Sequence, residues 1–325
     1  EAHQRGQPWV APLDVVLEDG ATVLAAPDPF GPHTPSHDTV VDGFSGDLGH
    51  GDRSVLFVLC QHRTTRSSEQ REDGSVPWVV PNVVVNGADT GWSDGFGSTG
   101  WADAAVVIPW TVYQYYGDKR ILEDCYDSMK AWVNYMRNHA GDSYIFDHGF
   151  HFGDWFSFSD YMSYYFNAPD FGYAGATTDK TLIATAYFYY STTILQKAAA
   201  IIGCREDAEE LSKLAAKIKK AWNREFMTET GRLVSGTQTA YAMALVFDLV
   251  RNDKKATIAK RLAHDVKHFG HLTTGFLGTP ILNRALSDSG YPDLAYRLLL
   301  NKRYPSWLYP VTRGATTIWE RWNNI

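Results

Sequence analysis

The sequence predicts an all-α fold, an (α/α) toroid of helical hairpins preceded by an irregular, β-rich N-terminal segment. From residue 102 onward, segments that are apolar nearly all round alternate with segments that are apolar on one face only. Short glycine or Asn-Asp breaks divide the members of each pair, so consecutive helices lie side by side as inner and outer partners. Residues 1–70 are different: they are dense in Pro and Gly, and no amphipathic helix of normal length can be drawn through them. The division is therefore an irregular segment over 1–70 and a helical-hairpin domain over 71–325.

Within the first segment, Leu13 to Leu17 and Ala21 to Ala25 carry the alternation of short strands, and Val40-Val41 and Val55 to Leu59 could add others. Residues 63–72 are polar and charged, a solvated face or linker. A long connection follows over 73–100. Its apolar run Val79 to Val85 is broken by Pro81, and Asn86-Gly87 and Asp94-Gly95 are turns. Long glycine-rich loops in compact proteins are usually functional, and Trp92, Asp94 and Trp101 lie in or beside this one.

The helices then come in pairs. Ala102 to Tyr116 is inner and Gly117-Asp118 ends it; Lys119 to His139 is outer, with Ile121, Leu122, Cys125, Met129, Trp132, Val133 and Met136 at three- and four-residue steps. Thr178 to Ile202 is inner, stopped by Gly203, and Glu206 to Phe226 is its amphipathic partner. Thr237 to Val250 is inner, broken at Asn252-Asp253, and Ala256 to Phe269 is outer. Leu277 to Leu286 and Asp293 to Leu300 form a shorter pair.

Composition narrows the partners. Of 325 residues 44% are hydrophobic, enough for a sizeable core, and the formal charge of -7 with no basic cluster excludes nucleic acid and anionic membrane as partners. There are 11 Trp, 18 Tyr and 16 Phe, a surplus that points to carbohydrate because aromatic faces stack on the C–H faces of sugar rings. Cys60, Cys125 and Cys204 are sparse and show no Cys-x-x-Cys spacing. With no apolar leader or membrane-length run, they fit reduced thiols in a cytoplasmic protein.

The uncommon residues gather in the loops. The inner-to-outer connections at one end are expected to form a cleft from residues 100–103, 148–155, 235–239 and 273–275, together with the C-terminal stretch around Glu320. There, Thr316 to Trp322 sets one carboxylate, Glu320, between Trp319 and Trp322 and beside Arg321. A Gly-Ala-Thr-Thr lead-in is compatible with a helical turn placing both indoles on one side. Glu320 reads either as a catalytic carboxylate or as an Arg-paired glutamate at an aromatic core edge. His148 and His151, three apart beside Asp147 and Asp154, have a spacing compatible with a metal but read better as structural residues. There is no Gly-x-Ser-x-Gly elbow, Walker loop or HExxH, so no cofactor or metal is expected.

GWADAAVVIPWTVYQYYGD (100–118), GFHFGDW (149–155), TDKTLIATAYFYYST (178–192), GRLVSGTQTAYAMAL (231–245), HLTTGFLGTPILNRALSDSGYPDLAYRLLL (271–300) and PSWLYPVTRGATTIWERW (305–322) closely resemble the bacterial α-L-rhamnosidases over residues 71 to 325. The resemblance implies an (α/α) barrel of six hairpins and hydrolysis of terminal α-L-rhamnosides with inversion, which needs two carboxyl groups spaced to admit a water. It implies that Glu320 is the general base and that Trp101 and Trp155 line the sugar pocket. Asp103 and Asp154 stand in the same motifs, with helix capping as the alternative for the aspartates and core packing for the tryptophans. Trp92, His151 and Trp319 join the candidate substrate-binding residues, and the family requires no metal in catalysis. The family's general-acid motif, Asp-Glu-Arg-x-Gly-Trp, is not reproduced between Glu1 and Gln70.

Three readings follow: a rhamnoside hydrolase using Glu320 with Asp94, Asp103 or Asp154 as substitute acid; a sugar-binding remnant without a proton donor; and a hydrolase with another substrate. Asp94 also fits a plain surface turn. Eight or nine helices stand where the six-hairpin barrel has twelve, so inner faces such as Val106, Val107, Ile108 and Trp110 are expected to be exposed and a homo-oligomer to cover them.

Overall fold

The structure, a computed structural model, describes the backbone of residues 14–16 and 22–24 together with residues 69–80, 82, 95–157, 178–319 and 322. Two short strands, β1 (Asp14–Val16) and β2 (Thr22–Leu24), pair antiparallel with Val15 opposite Val23. Both fall inside the segments whose alternation predicts strands.

The helices are α1 (Ala104–Tyr116), α2 (Arg120–Ala140), α3 (Lys180–Ile202), α4 (Arg205–Phe226), α5 (Gln238–Val246), α6 (Lys255–Phe269), α7 (Thr279–Asp288), α8 (Pro292–Leu299) and the single turn α9 (Leu308–Thr312). Inner helices α1, α3, α5 and α7 pack successively on one another, and each packs on the outer helix that follows it. Four hairpins in a row are thus present among the described residues.

Sequence explains the division of labour. The outer helix α2 buries Leu122, Cys125, Met129, Trp132, Val133 and Met136 as one stripe, and α4 buries Leu211, Leu214, Ile218 and Trp222. Inner α3 is buried almost all round, including Thr185, Ser191 and Thr192. Glycines in the left-handed region end α1 (Gly117) and α3 (Gly203), where a side chain would be strained. Between layers, the Trp222 indole donates to the Leu182 carbonyl at 3.2 Å. Among the outer helices, Tyr126 and Lys130 of α2 both donate to Asp207 of α4 at 2.7 Å.

Two expectations change. Helix α5 ends at Val246, not Val250, because the chain turns through Asp248 in the left-handed region (φ 57°), clamped by Lys219 at 3.0 Å and Lys255 at 2.5 Å. Leu249 and Val250 are fully buried in the turn itself, so their apolar character reports packing beyond the helix. The lead-in at 315–319 is bend and coil, and residues 320 and 321, through which the expected turn would run, lie outside the described residues; Trp322 packs on Trp307 at 6.1 Å, while Ile318 is 96% exposed. On α1, Val106 is fully buried, and only Val107, Ile108 and Trp110 of the four expected positions are partly exposed.

The connections are unequal. Inner-to-outer turns take residues 117–119, 203–204 and 289–291, with a somewhat longer turn after α5, whereas the outer-to-inner loops span 141–179, 227–237 and 270–278. The long loops therefore meet at the N-terminal ends of the inner helices.

Candidate active site

That placement corrects the expected geometry: the cleft loops precede the inner helices, and lead from outer to inner rather than the reverse. Each loop is stapled to its neighbour by side chains reaching across. The segment 76–78 pairs with 95–97, with the Trp78 amide on the Gly95 carbonyl at 2.9 Å and the Gly97 amide on the Val76 carbonyl at 3.0 Å. Buried Ser98 and Thr99 then meet the next loop: the Phe152 amide donates to Ser98 Oγ at 3.2 Å, and the Thr99 amide donates to His151 Nδ1 at 3.2 Å. The Thr178 and Thr237 hydroxyls share a hydrogen bond of 2.7 Å, and the Asp179 amide donates to Ser235 Oγ at 2.9 Å. Fully buried Gln238 receives the Thr273 amide at 2.9 Å and donates to the His271 carbonyl at 3.1 Å.

On this frame lies an arc of aromatic rings. Trp101 and Trp155, both half-buried, share Phe152 as a neighbour, at centroid distances of 4.5 Å and 5.4 Å. Phe152 continues to Trp78 (4.8 Å) and Phe150 (5.0 Å). On the other side, Phe276 stands 6.3 Å from Trp101 and 5.7 Å from Phe156 and is 39% exposed. Partly exposed aromatic faces at the mouth of a helical toroid can present apolar area to a ligand while tilted and edge-on ring neighbours hold them in place.

The two loop aspartates are placed differently from a cleft acid. Asp103, just ahead of α1, is 0% exposed. Its Oδ1 accepts from Trp132 Nε1 at 2.9 Å and Ser191 Oγ at 2.5 Å, and its Oδ2 accepts the Gly100 amide at 2.8 Å. Asp154 is also 0% exposed: Oδ1 accepts the Leu277 and Gly278 amides, both at 2.9 Å, and Oδ2 accepts the Gly275 amide at 2.8 Å and the Thr239 hydroxyl. Burial pushes both carboxyls above the ordinary range, and the donors around each pull the other way. Every partner donates, so both cavities are shaped to receive carboxylate oxygens.

His151 is 5% exposed and edge-on to Phe146 at 5.4 Å. A backbone N–H can only donate, so Nδ1 is the acceptor for Thr99 and the ring proton sits on Nε2. Burial pushes the imidazole down to about 4; the Lys180 ammonium adds to this and the His148 backbone opposes it. His148, the other member of the spaced pair, turns to His139 at 3.8 Å. Among the described residues no group of three or more His, Cys, Asp or Glu is arranged to hold a metal ion.

Of the remaining candidates, Trp92, Asp94 and Glu320 lie outside the described residues, and Trp319 is half-buried on the C-terminal coil. Thr239 falls in the cleft stretch 235–239 expected from sequence, whereas Phe276 and Trp78 are not singled out by sequence reasoning. A signal was present for Phe276: it lies between Gly275 and Gly278, whose lack of a Cβ marks close backbone approach. A Cβ on Gly275 would fall 2.6 Å from both the Asp154 carbonyl and the Ser157 amide and would collide with the Trp155 carbonyl.

Comparison with known proteins gives one consistent result. The family model for the bacterial alpha-L-rhamnosidase 6 hairpin glycosidase domain matches residues 58–325, so the match reaches upstream of residue 71. An α-L-rhamnosidase of Alteromonas sp. (strain LOR) is 39% identical over 260 residues, covering 79% of this chain and 26% of the relative. That of Streptomyces avermitilis is 38% identical over 300 residues, 90% of this chain and 26% of the relative. The crystal structure of Streptomyces avermitilis α-L-rhamnosidase complexed with L-rhamnose superposes with a TM-score of 0.71 at 35% identity, covering 82% of this chain and 23% of that one. The chain thus spans about a quarter of the length of these relatives.

Proposed function

Because this chain belongs to the bacterial α-L-rhamnosidase six-hairpin glycosidase family, we propose that it forms the sugar-binding and base-bearing part of a site that hydrolyses terminal α-L-rhamnosides. The observation that carries this reading is the aromatic arc: Trp101 and Trp155, fifty-four residues apart in sequence, converge on Phe152 at the N-terminal ends of the inner helices. Rings half open to solvent there suit the apolar face of a deoxysugar, whose methyl group adds hydrophobic area that other hexoses lack.

In the proposed chemistry Glu320 acts as general base, drawing a proton from a water that attacks the anomeric carbon while the aglycone oxygen leaves on the opposite face, giving inversion. The departing oxygen needs a proton. Asp103 and Asp154 are ill-suited to supply it, since both are fully buried with donors on both oxygens. The same observation favours a second reading, in which this chain binds the sugar without a positioned acid. Half-exposed Val107, Ile108 and Trp110 on α1 support association of two copies, tested by light scattering.

Hydrolysis of nitrophenyl α-L-rhamnoside, whose leaving group barely needs protonation, separates the readings. We expect cleavage of this substrate to exceed that of a rhamnosyl disaccharide by about a hundredfold or more, and Glu320→Gln to abolish it. Full activity in that variant would refute the assignment of the base. L-Rhamnose binding with no cleavage of either substrate would establish the binding reading.

A further inference from the structure

The buried Asp154 carboxylate holds together three pieces of chain that are distant in sequence. It lies in the loop before α3, yet its four partners belong to the start of α5 (Thr239) and the turn leading into α7 (Gly275, Leu277 and Gly278). Beside it the Phe276 amide donates to the Trp155 carbonyl at 2.9 Å. The two glycines let the strands of this junction approach: a Cβ on Gly278 would come within 2.8 Å of Thr274 Cγ2 and collide with the Thr239 hydroxyl. Trp155 and Phe276, the residues immediately following Asp154 and Gly275, are thereby set in one frame, Trp155 5.4 Å from Phe152 and Phe276 6.3 Å from Trp101.

We propose that Asp154 is a positioning residue for sugar binding: its carboxylate, without touching the ligand, locks the turn 275–278 to the 154–157 loop and so fixes the spacing of Trp155 and Phe276 in the aromatic arc. This rests on the reading of the arc as the saccharide platform. Three of the four donors are backbone N–H groups, which cannot reverse their role, so the lock requires an acceptor on both arms. The neighbouring N-termini of α5 and α7 add positive potential toward the same anion. Asparagine is isosteric but must turn an NH2 group toward either the Gly275 amide or the Leu277 and Gly278 amides, opening one arm.

The test uses the full chain, with Asp154→Asn and the milder Thr239→Val, which removes one donor and leaves the three backbone bonds. Steady-state kinetics on nitrophenyl α-L-rhamnoside and hydrogen exchange are measured together. The proposal expects Asp154→Asn to raise KM about tenfold with kcat little changed, since the platform binds ground and transition states alike. It expects the Gly275, Leu277 and Gly278 amides to exchange faster while α4 amides do not. Thr239→Val should shift KM the same way by a smaller factor, and it stands alone if Asp154→Asn fails to fold. A fall in kcat of a hundredfold or so at constant KM would instead make Asp154 the proton donor and overturn the proposal. Lower stability with KM and turn exchange unchanged would overturn it also. If the wild-type chain neither cleaves nor binds the rhamnoside, the functional reading fails; the exchange data then still decide whether Asp154 holds the turn, and unaltered turn exchange refutes the lock.

Discussion

Trp132, on outer helix α2, donates its indole N–H at 2.9 Å to Asp103, the residue that leads into inner helix α1. Ser191 of α3 donates to the same oxygen at 2.5 Å, so one carboxylate joins three helices and, through the Gly100 amide at 2.8 Å, the loop that carries Trp101. Hydrogen bonds to a buried charge contribute more than neutral ones, and losing one leaves the charge short of a partner. Trp132→Phe is expected to cost about 2–4 kcal/mol, from the lost bond and the space left by the smaller ring. Ser191→Ala is expected to cost about 1–3 kcal/mol. Urea unfolding of each variant measures both, and an effect below about 0.5 kcal/mol for Trp132→Phe would show that the bond is dispensable.

Trp101 and Trp155 differ in how they are held, which separates their roles. Trp155 is tied through its carbonyl to Phe276 and lies next to the buried Asp154, while the Trp101 ring packs between Phe152 and Phe276. Trp101→Ala is expected to weaken L-rhamnose binding about tenfold or more while leaving the thermal midpoint within a few degrees. Titration by calorimetry beside a melting curve checks this. Unchanged affinity would remove Trp101 from the platform.

The His151 ring predicts an acid-side loss of stability. Its folded-state pKa of about 4 lies below the ordinary value of 6.5, so between those values the unfolded chain takes up a proton that the folded chain refuses. Its effect is absent above pH 6.5; stability falls as pH drops toward 4, by about 3 kcal/mol in total. His151→Gln removes the ring that titrates, so the difference between its pH–stability curve and that of the wild type should be a constant offset above pH 6.5 and change with pH only below it. A constant difference from pH 4 to 8 would contradict the neutral, Thr99-bound imidazole.

Much of the scaffold is legible in the sequence because helix periodicity is local. The stripe from Leu122 to Met136 and the glycine stops at Gly117 and Gly203 mark α1 to α4 closely. The end of α5 is not legible: Leu249 and Val250 continue an apolar pattern, and the turn at Asp248 depends on Lys219 and Lys255 from other helices. At the site, Trp101, Asp103, Asp154 and Trp155 stand out as motif residues, but spacing carries no information about direction. Whether Asp103 faces solvent or Trp132, twenty-nine residues away, is decided by the packing of α2 on α1. Phe276 escapes for the same reason, since its neighbours Trp101 and Phe156 are remote in sequence.

The inequality of the connections has a practical side. The turns 117–119, 203–204 and 289–291 are short, so they register neighbouring helices at the end opposite the long loops. At one of them sits Cys204, a half-buried free thiol. A fluorophore attached there would ride on the end of the molecule remote from the aromatic arc, reporting unfolding of the α3–α4 hairpin without competing for the sugar. Trp101 and Trp155 would supply the complementary optical signal from the opposite pole, so binding and unfolding could be followed in one cuvette as separate events.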